Sequence, residues 1–382
     1  MLALVCYWIF VEKYVYDIQG IDKNRTSRFR KLNSNKEVVS MKTRAIGSFV
    51  SGCVLLLVIS VTIPSFGADT GIRLKYADHA PPAHAISIVT QQWCKELEKR
   101  TNGRITVAYF PAGTLVPLAQ IYDGVGKGII DIGSSMIAYT PGRMTLAEVL
   151  TLPLGVQNGL QASRLANAFF KKFNPKELDD TKIFYLTAYR GGWFHTKAPV
   201  NKVEDLKGLR IKGDGYTSKV IAALGGVPTT IPMLETYDAL KRGLAEGALT
   251  PLETLTNWKF GEVCKYTYRN DGAAYANGIF TAMNKDRWDS LPADLQQIIA
   301  KLNEEWFEKQ ANVWKQVDDE AMAAMLKEGH KFAYATAGDV AKTKEMVKPI
   351  FDGYLKITKE KGLPGEEALK FCQEYLQKAP VN

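Results

Sequence analysis

Residues 203–215, VEDLKGLRIKGDG, end a strand-like run in one cation, Lys212, followed by a Gly-Asp-Gly turn. A helix-forming stretch over 217–224 follows, so the ammonium is expected at a strand's carboxyl end beside a positive helix N-terminus. That combination suits a small anion, and points to binding rather than catalysis. A solvated lysine on a surface strand is the ordinary alternative, and the turn weighs against it. Arg210, two residues earlier, is expected to face away from this site. The segment Gly124-Val-Gly-Lys-Gly128 has neither the GxGxxG nor the Walker spacing and precedes a strand, so it reads as a helix end and turn.

Other reactive side chains form no constellation. The four histidines are His79, His84, His195 and His330. His79 and His84 are separated by two prolines rather than set at helical HExxH spacing, which argues against zinc. His79, at a strand's carboxyl end, is a candidate for touching a bound molecule. No GxSxG elbow occurs. Beyond the leader the cysteines are Cys94, Cys264 and Cys372, an odd count without short spacing, which excludes a disulfide framework and a CxxC knuckle. Cys94 falls in the buried pattern of a helix. We expect no metal and no cofactor.

The elements that position Lys212 follow from periodicity. Strand signals at 72–77, 105–110 and 129–134 alternate with helices at 85–100 and 118–126. Ile86, Val89, Trp93 and Leu97 share one face of the first helix. After a polar, helical middle, strands are expected at 183–189, 194–196, 209–212, 247–250 and 278–283, with a helix at 236–242. Residues 292–327 read as one long helix, with Ile298, Leu302, Trp306 and Trp314 marking its buried face. Such alternation implies α/β architecture with mostly parallel sheets, arranged as two lobes that the chain crosses more than once. Ligands of such sheets sit beyond the carboxyl ends of the strands.

The 382 residues are 46% hydrophobic and 23% charged, enough for two cored lobes and unlike a disordered chain. The net charge is +9, but residues 1–67 carry nine Lys and Arg against four Asp and Glu, leaving forty against thirty-six elsewhere. No dense basic stripe remains, so nucleic acid is set aside. From Met41 the chain has a cationic start, an apolar run over 54–63 and small residues at Gly67 and Ala68. This reads as a secretory signal peptide over 41–68, with residues 1–40 a non-native extension ahead of the true start. Cys53 lies before the longest apolar run, so a lipoprotein box is disfavoured.

The signal peptide, Pro199-Val200, Glu204 to Lys212, Pro228, Glu235-Thr-Tyr237-Asp-Ala-Leu240, Glu246-Gly247, Leu152-Pro153-Leu154 and Trp288-Asp-Ser-Leu-Pro292 resemble one family. They are similar to the extracytoplasmic solute receptors of tripartite ATP-independent periplasmic (TRAP) transporters, DctP type, in order and spacing from Ile72 to about Trp314. The resemblance implies a two-lobed periplasmic-binding-protein-like fold with a hinge and a long helix spanning both lobes. It assigns 69–189 plus 276–315 to lobe I and 190–275 plus 316–382 to lobe II. It implies a monomeric periplasmic receptor that delivers an organic acid to two membrane permease subunits, without chemistry on the ligand. The alternatives are a receptor presenting its ligand to a membrane sensor and an exported enzyme; the latter lacks a motif joining nucleophile, base and oxyanion donors.

In most members of that family an arginine stands where this chain has Lys212, and its fork grips the ligand carboxylate in two bonds. Lysine is a point charge with a less directional grip. Arg190 is expected to add a second cation. Trp193 and Phe194 lie where another arginine often stands, Met233 at a commonly aromatic position, and Thr250 in place of a frequent asparagine. Met136, Tyr139, Tyr216 and Trp258 complete the expected pocket. So apolar a wall suggests a monocarboxylate with an aromatic or apolar body, such as an aryl 2-oxoacid.

Overall fold

The computed structural model describes residues 71–378, which fall within a single compact unit running from Asp69 to the end of the chain. The leader and residues 1–40 lie outside the described residues. The first lobe begins with β1 (Ile72–Asp78), α1 (Ala85–Arg100), β2 (Ile105–Phe110), α2 (Ile121–Gly126) and β3 (Ile132–Met136), followed by α3 (Gly159–Phe173) and β4 (Thr181–Arg190). The second contains β5 (Trp193–Thr196), β6 (Arg210–Lys212), α4 (Tyr216–Ala223), β7 (Val227–Thr229), α5 (Thr236–Arg242), β8 (Gly247–Thr250), the short helices α6 (Thr254–Asn257) and α7 (Phe260–Val263), and β9 (Tyr266–Arg269). Then β10 (Ala276–Asn284) returns to the first lobe, and α8 (Lys285–Asp289), α9 (Ala293–Lys327), β11 (Lys331–Tyr334), α10 (Ala337–Glu360) and α11 (Gly365–Lys378) complete the chain.

The strands form two sheets, ordered β2-β1-β3-β10-β4 and β11-β9-β5-β8-β6-β7. In the first, β10 pairs antiparallel with β3 and β4; in the second, β5 pairs antiparallel with β8 and β9. The remaining pairings are parallel. Each lobe thus contains one reversed strand, the one that has just arrived from the other lobe. The crossings are tight. A Cβ on Gly191 would lie 2.2 Å from the Tyr275 ring, and Gly192 has φ +107° against the backbone of Ala273 and Ala274, so only glycines let the two connections touch.

The 35-residue helix α9, roughly 50 Å long at 1.5 Å per residue, serves both cores. Its first half packs Leu295, Ile299, Leu302 and Trp306 with Leu74, Tyr76 and Trp93 of lobe I. Its second half packs Ala321 and Met325 with Trp193, Leu255 and Phe260 of lobe II. The expected buried face is present, with Ile298 only partly buried at its margin. Sequence reading missed β7, β9 and β11, which are short, and placed β3 about three residues early, where Ile129 is in fact exposed. The C-terminal helices touch lobe I too. The Tyr354 hydroxyl on α10 donates to Leu146 O at 3.0 Å, and Phe371 on α11 meets Phe173 edge-on. The three cysteines Cys94, Cys264 and Cys372 are free and buried, and burial pushes the thiols of Cys264 and Cys372 up to about 12.

Candidate functional site

Between the lobes lies a narrow cleft, partly open to solvent. Lobe II contributes the carboxyl ends of β6 and β8, through Lys212, Asp214, Thr217, Thr250 and Glu253, together with Met233 and Trp258. Lobe I contributes Met136 from the end of β3, Tyr139 behind it, Tyr189 from β4 and Asn277 from β10. Tyr275, on the returning connection, closes the floor. The position beyond strand ends is the one expected for ligands of open α/β sheets.

Lys212 is 2% exposed. Its ammonium is paired with the Asp214 carboxylate of the following turn. That turn exists because Gly215 adopts φ +50° at the cap of α4, a conformation side chains other than glycine rarely take. Arg210 shares the face of β6 with Lys212, since residues two apart in a strand point the same way, contrary to expectation. It is excluded from the cleft by its place along the strand, where its guanidinium meets Gly243 O at 3.1 Å and Leu244 O at 3.3 Å.

Of the expected site residues, the structure gathers Lys212, Met136, Tyr139, Met233, Thr250 and Trp258 around the cleft. It puts five elsewhere. Arg190 is buried at the crossing, where it bonds Asp271 Oδ1 at 2.6 Å and Val156 O at 3.3 Å and stacks over Trp193. Burial lowers its pKa to about 10. It ties the outgoing connection to the returning one rather than facing the cleft. Trp193 and Phe194 are consecutive on β5 and so point to opposite sheet faces, one into each core cluster. Tyr216 is a buried core residue with the Lys219 ammonium 4.1 Å above its ring. His79 is held by Asp78 Oδ1 at 3.0 Å and Ser134 O at 3.3 Å, beneath the sheet end.

Sequence reasoning missed Tyr189, Tyr275, Asn277, Asp214 and Glu253. Asp214 was within reach, because it stands in the turn already singled out. The others lie on strands and turns whose neighbours come from distant segments. The Asn277 amide donates to the Tyr189 hydroxyl at 2.7 Å, and that hydroxyl is directed at Met136 Sδ at 3.8 Å. Burial raises the pKa values of Tyr139 and Tyr275 well above the ordinary phenol, so both stay protonated.

A polar clasp joins the lobes at the cleft edge. His84 caps α1 by accepting the Ile86 N–H on Nδ1 at 3.2 Å, which leaves Nε2 to donate to Glu253 Oε2 at 3.1 Å. Glu253 in turn donates its backbone N–H to Asp318 Oδ1 on α9 at 3.0 Å. Burial first, then the nearby Glu253 charge, raises the Asp318 pKa to about 8.

The family model for bacterial extracellular solute-binding proteins, family 7 (DctP), matches residues 76–357. The chain belongs to this family. Among its relatives is the C4-dicarboxylate-binding periplasmic protein DctP of Rhodobacter capsulatus, 25% identical over 316 residues covering 81% of this chain and 93% of that protein. Another, 26% identical over 276 residues, is the monocarboxylate 2-oxoacid-binding periplasmic protein of Nostoc sp., with 68% of this chain and 73% of that one covered. A TRAP solute-binding protein from Rhodoferax ferrireducens, solved in complex with copurified benzoate, superposes with a TM-score of 0.74 at 26% identity. The match covers 80% of this chain and 98% of that one. Membership accounts for the architecture. Among the described residues no helix is long and apolar enough to cross a membrane.

Proposed function

We propose that this family member is the periplasmic receptor of a TRAP transporter, exported by the signal peptide over residues 41–68, and that it binds an aromatic or apolar monocarboxylate for delivery to the membrane permease. The carboxylate sits on Lys212, in the place the Asp214 carboxylate takes in this structure. The observation that carries the reading is a buried ammonium at a strand end, set in a cleft walled by Met136, Tyr139, Met233, Tyr189 and Trp258. One cation grips one carboxylate, and rings and thioethers suit an apolar body. Benzoate in the Rhodoferax protein and 2-oxoacids in the Nostoc protein agree with that class.

A thermal-shift screen of organic acids tests it, because a tight ligand raises apparent stability by mass action. Aryl monocarboxylates should stabilise the purified protein and succinate should not; the reverse would sink the reading. Lys212→Ala should weaken the best acid by about 1.5 to 3 kcal/mol, the usual contribution of a hydrogen bond to a charged group. An unchanged dissociation constant would mean the carboxylate is held elsewhere.

A further inference from the structure

The cleft's lobe I wall carries an unfulfilled hydrogen-bonding group. Asn277 lines the cleft from β10 and is only 4% exposed. One end of its amide is engaged by the Tyr189 hydroxyl at 2.7 Å, while its Oδ1 is buried without any partner. Buried side-chain amides are rarely left half-bonded, because the lost hydration is recovered only by a partner. The Tyr275 hydroxyl donates to Leu249 O at 3.3 Å, and Met136 offers only a thioether. Tyr189 fixes the amide, so the free end is held ready rather than free to swing.

We infer that Asn277 is a specificity-determining residue that reads a hydroxyl on the ligand, so that the receptor selects hydroxy-substituted monocarboxylic acids over their unsubstituted parents. The inference rests on the proposed acid-binding role of the same cleft. Lys212 and Asn277 stand on different lobes, so a ligand holding both spans the cleft with its carboxylate on one wall and its hydroxyl on the other. A hydroxyl both donates and accepts, and therefore meets the free end of the amide whichever way round the group stands. A parent acid without the hydroxyl leaves the amide end unpaired, and sites built to bond a hydroxyl discriminate strongly against analogues that lack it.

The test compares phenylacetate with mandelate, 3-hydroxyphenylacetate and 4-hydroxyphenylacetate by calorimetry, on the wild-type protein and on Asn277→Leu. At least one hydroxylated acid should bind wild type roughly tenfold or more tightly than phenylacetate, the factor expected for satisfying one buried polar group. In Asn277→Leu that ratio should fall to about one, whatever the change in the absolute affinity for phenylacetate. Asn277→Ala, which removes the amide without adding bulk, repeats the comparison should leucine not pack. Equal binding of parent and hydroxylated acids by wild type, or an advantage that survives both substitutions, overturns the role of Asn277 alone. If none of the four acids binds wild type, the aryl-acid reading fails and this inference falls with it.

Discussion

A lysine rather than an arginine at the end of β6 decides how a carboxylate can be captured there. Arginine would offer a planar fork and two parallel bonds; the Lys212 ammonium offers one centre of charge, and Asp214 already occupies it. A ligand carboxylate brought to Lys212 competes with the internal one for the same ammonium, so part of its binding energy offsets the weakened pair. Asp214→Asn should remove that competition and tighten binding of a monocarboxylate about tenfold, in the range of a single charge-assisted bond. Titration calorimetry on the variant checks this, and weaker binding would mean that Asp214 orients the ammonium rather than competing for it. The same residue shows what sequence can and cannot reveal. Lys212 was legible because strand end, cation and turn are contiguous. Arg190 was not, because the partner that claims it, Asp271, is 81 residues away.

At the scale of elements, the crossings set the geometry of the cleft. Gly191 and Gly192 let the outgoing connection pass against Tyr275 and Ala274, and the Arg190–Asp271 pair fastens the two together. Gly191→Ala would drive a methyl into the Tyr275 ring, which itself forms the cleft floor. Overpacking of this kind costs about 1 to 3 kcal/mol, so urea unfolding should shift by that amount and acid binding should fall together with it. Loss of binding without loss of stability, or neither, would contradict a shared role for the crossing. The elements themselves were largely readable: α1, α5, α9 and β1, β2 and β8 announce themselves by period and by their stops. The strands that escaped were governed by pairing. β7, β9 and β11 are three or four residues long and acquire strand character only from the neighbours they bond. Trp193 and Phe194 both looked like pocket residues until the pleat sent them to opposite faces.

For the whole molecule, buried titratable groups on different elements set opposing pH limits. His195 and His330 are joined through Thr267, at 2.9 and 2.8 Å, across β5, β9 and the start of β11. Burial lowers His195 from its ordinary 6.5 to about 3, with the neighbouring His330 adding to it, although a bond to Pro251 O opposes this. Burial, then Lys265, lowers His330 to about 4. Their contribution to stability is complete above about pH 6.5 and is lost as pH falls towards those values, because the unfolded chain takes up protons that the folded one refuses. Asp318 acts the other way. It faces Glu253 and Asp319, which raise its pKa, and Arg190 and the Glu253 N–H, which lower it, and burial dominates to leave it near 8. The folded state then holds a proton that the unfolded state releases above about 3.8, so stability falls as pH rises from there to about 8. Among these three groups, the two histidines outweigh the aspartate below 6.5 and the aspartate is left to act between 6.5 and 8, so their combined contribution to thermal stability should peak near pH 6.5. On the alkaline arm the slope should approach about 1.4 kcal/mol per pH unit, the value for one proton. Asp318→Asn, which keeps an acceptor for the Glu253 N–H, should flatten that arm between pH 6.5 and 8 and, because the aspartate no longer opposes the histidines, steepen the acid arm below 6.5 by one proton's worth, roughly 1.4 kcal/mol per pH unit. Melting curves across that range decide it: an alkaline slope identical in wild type and variant would show that the proton is not held at Asp318.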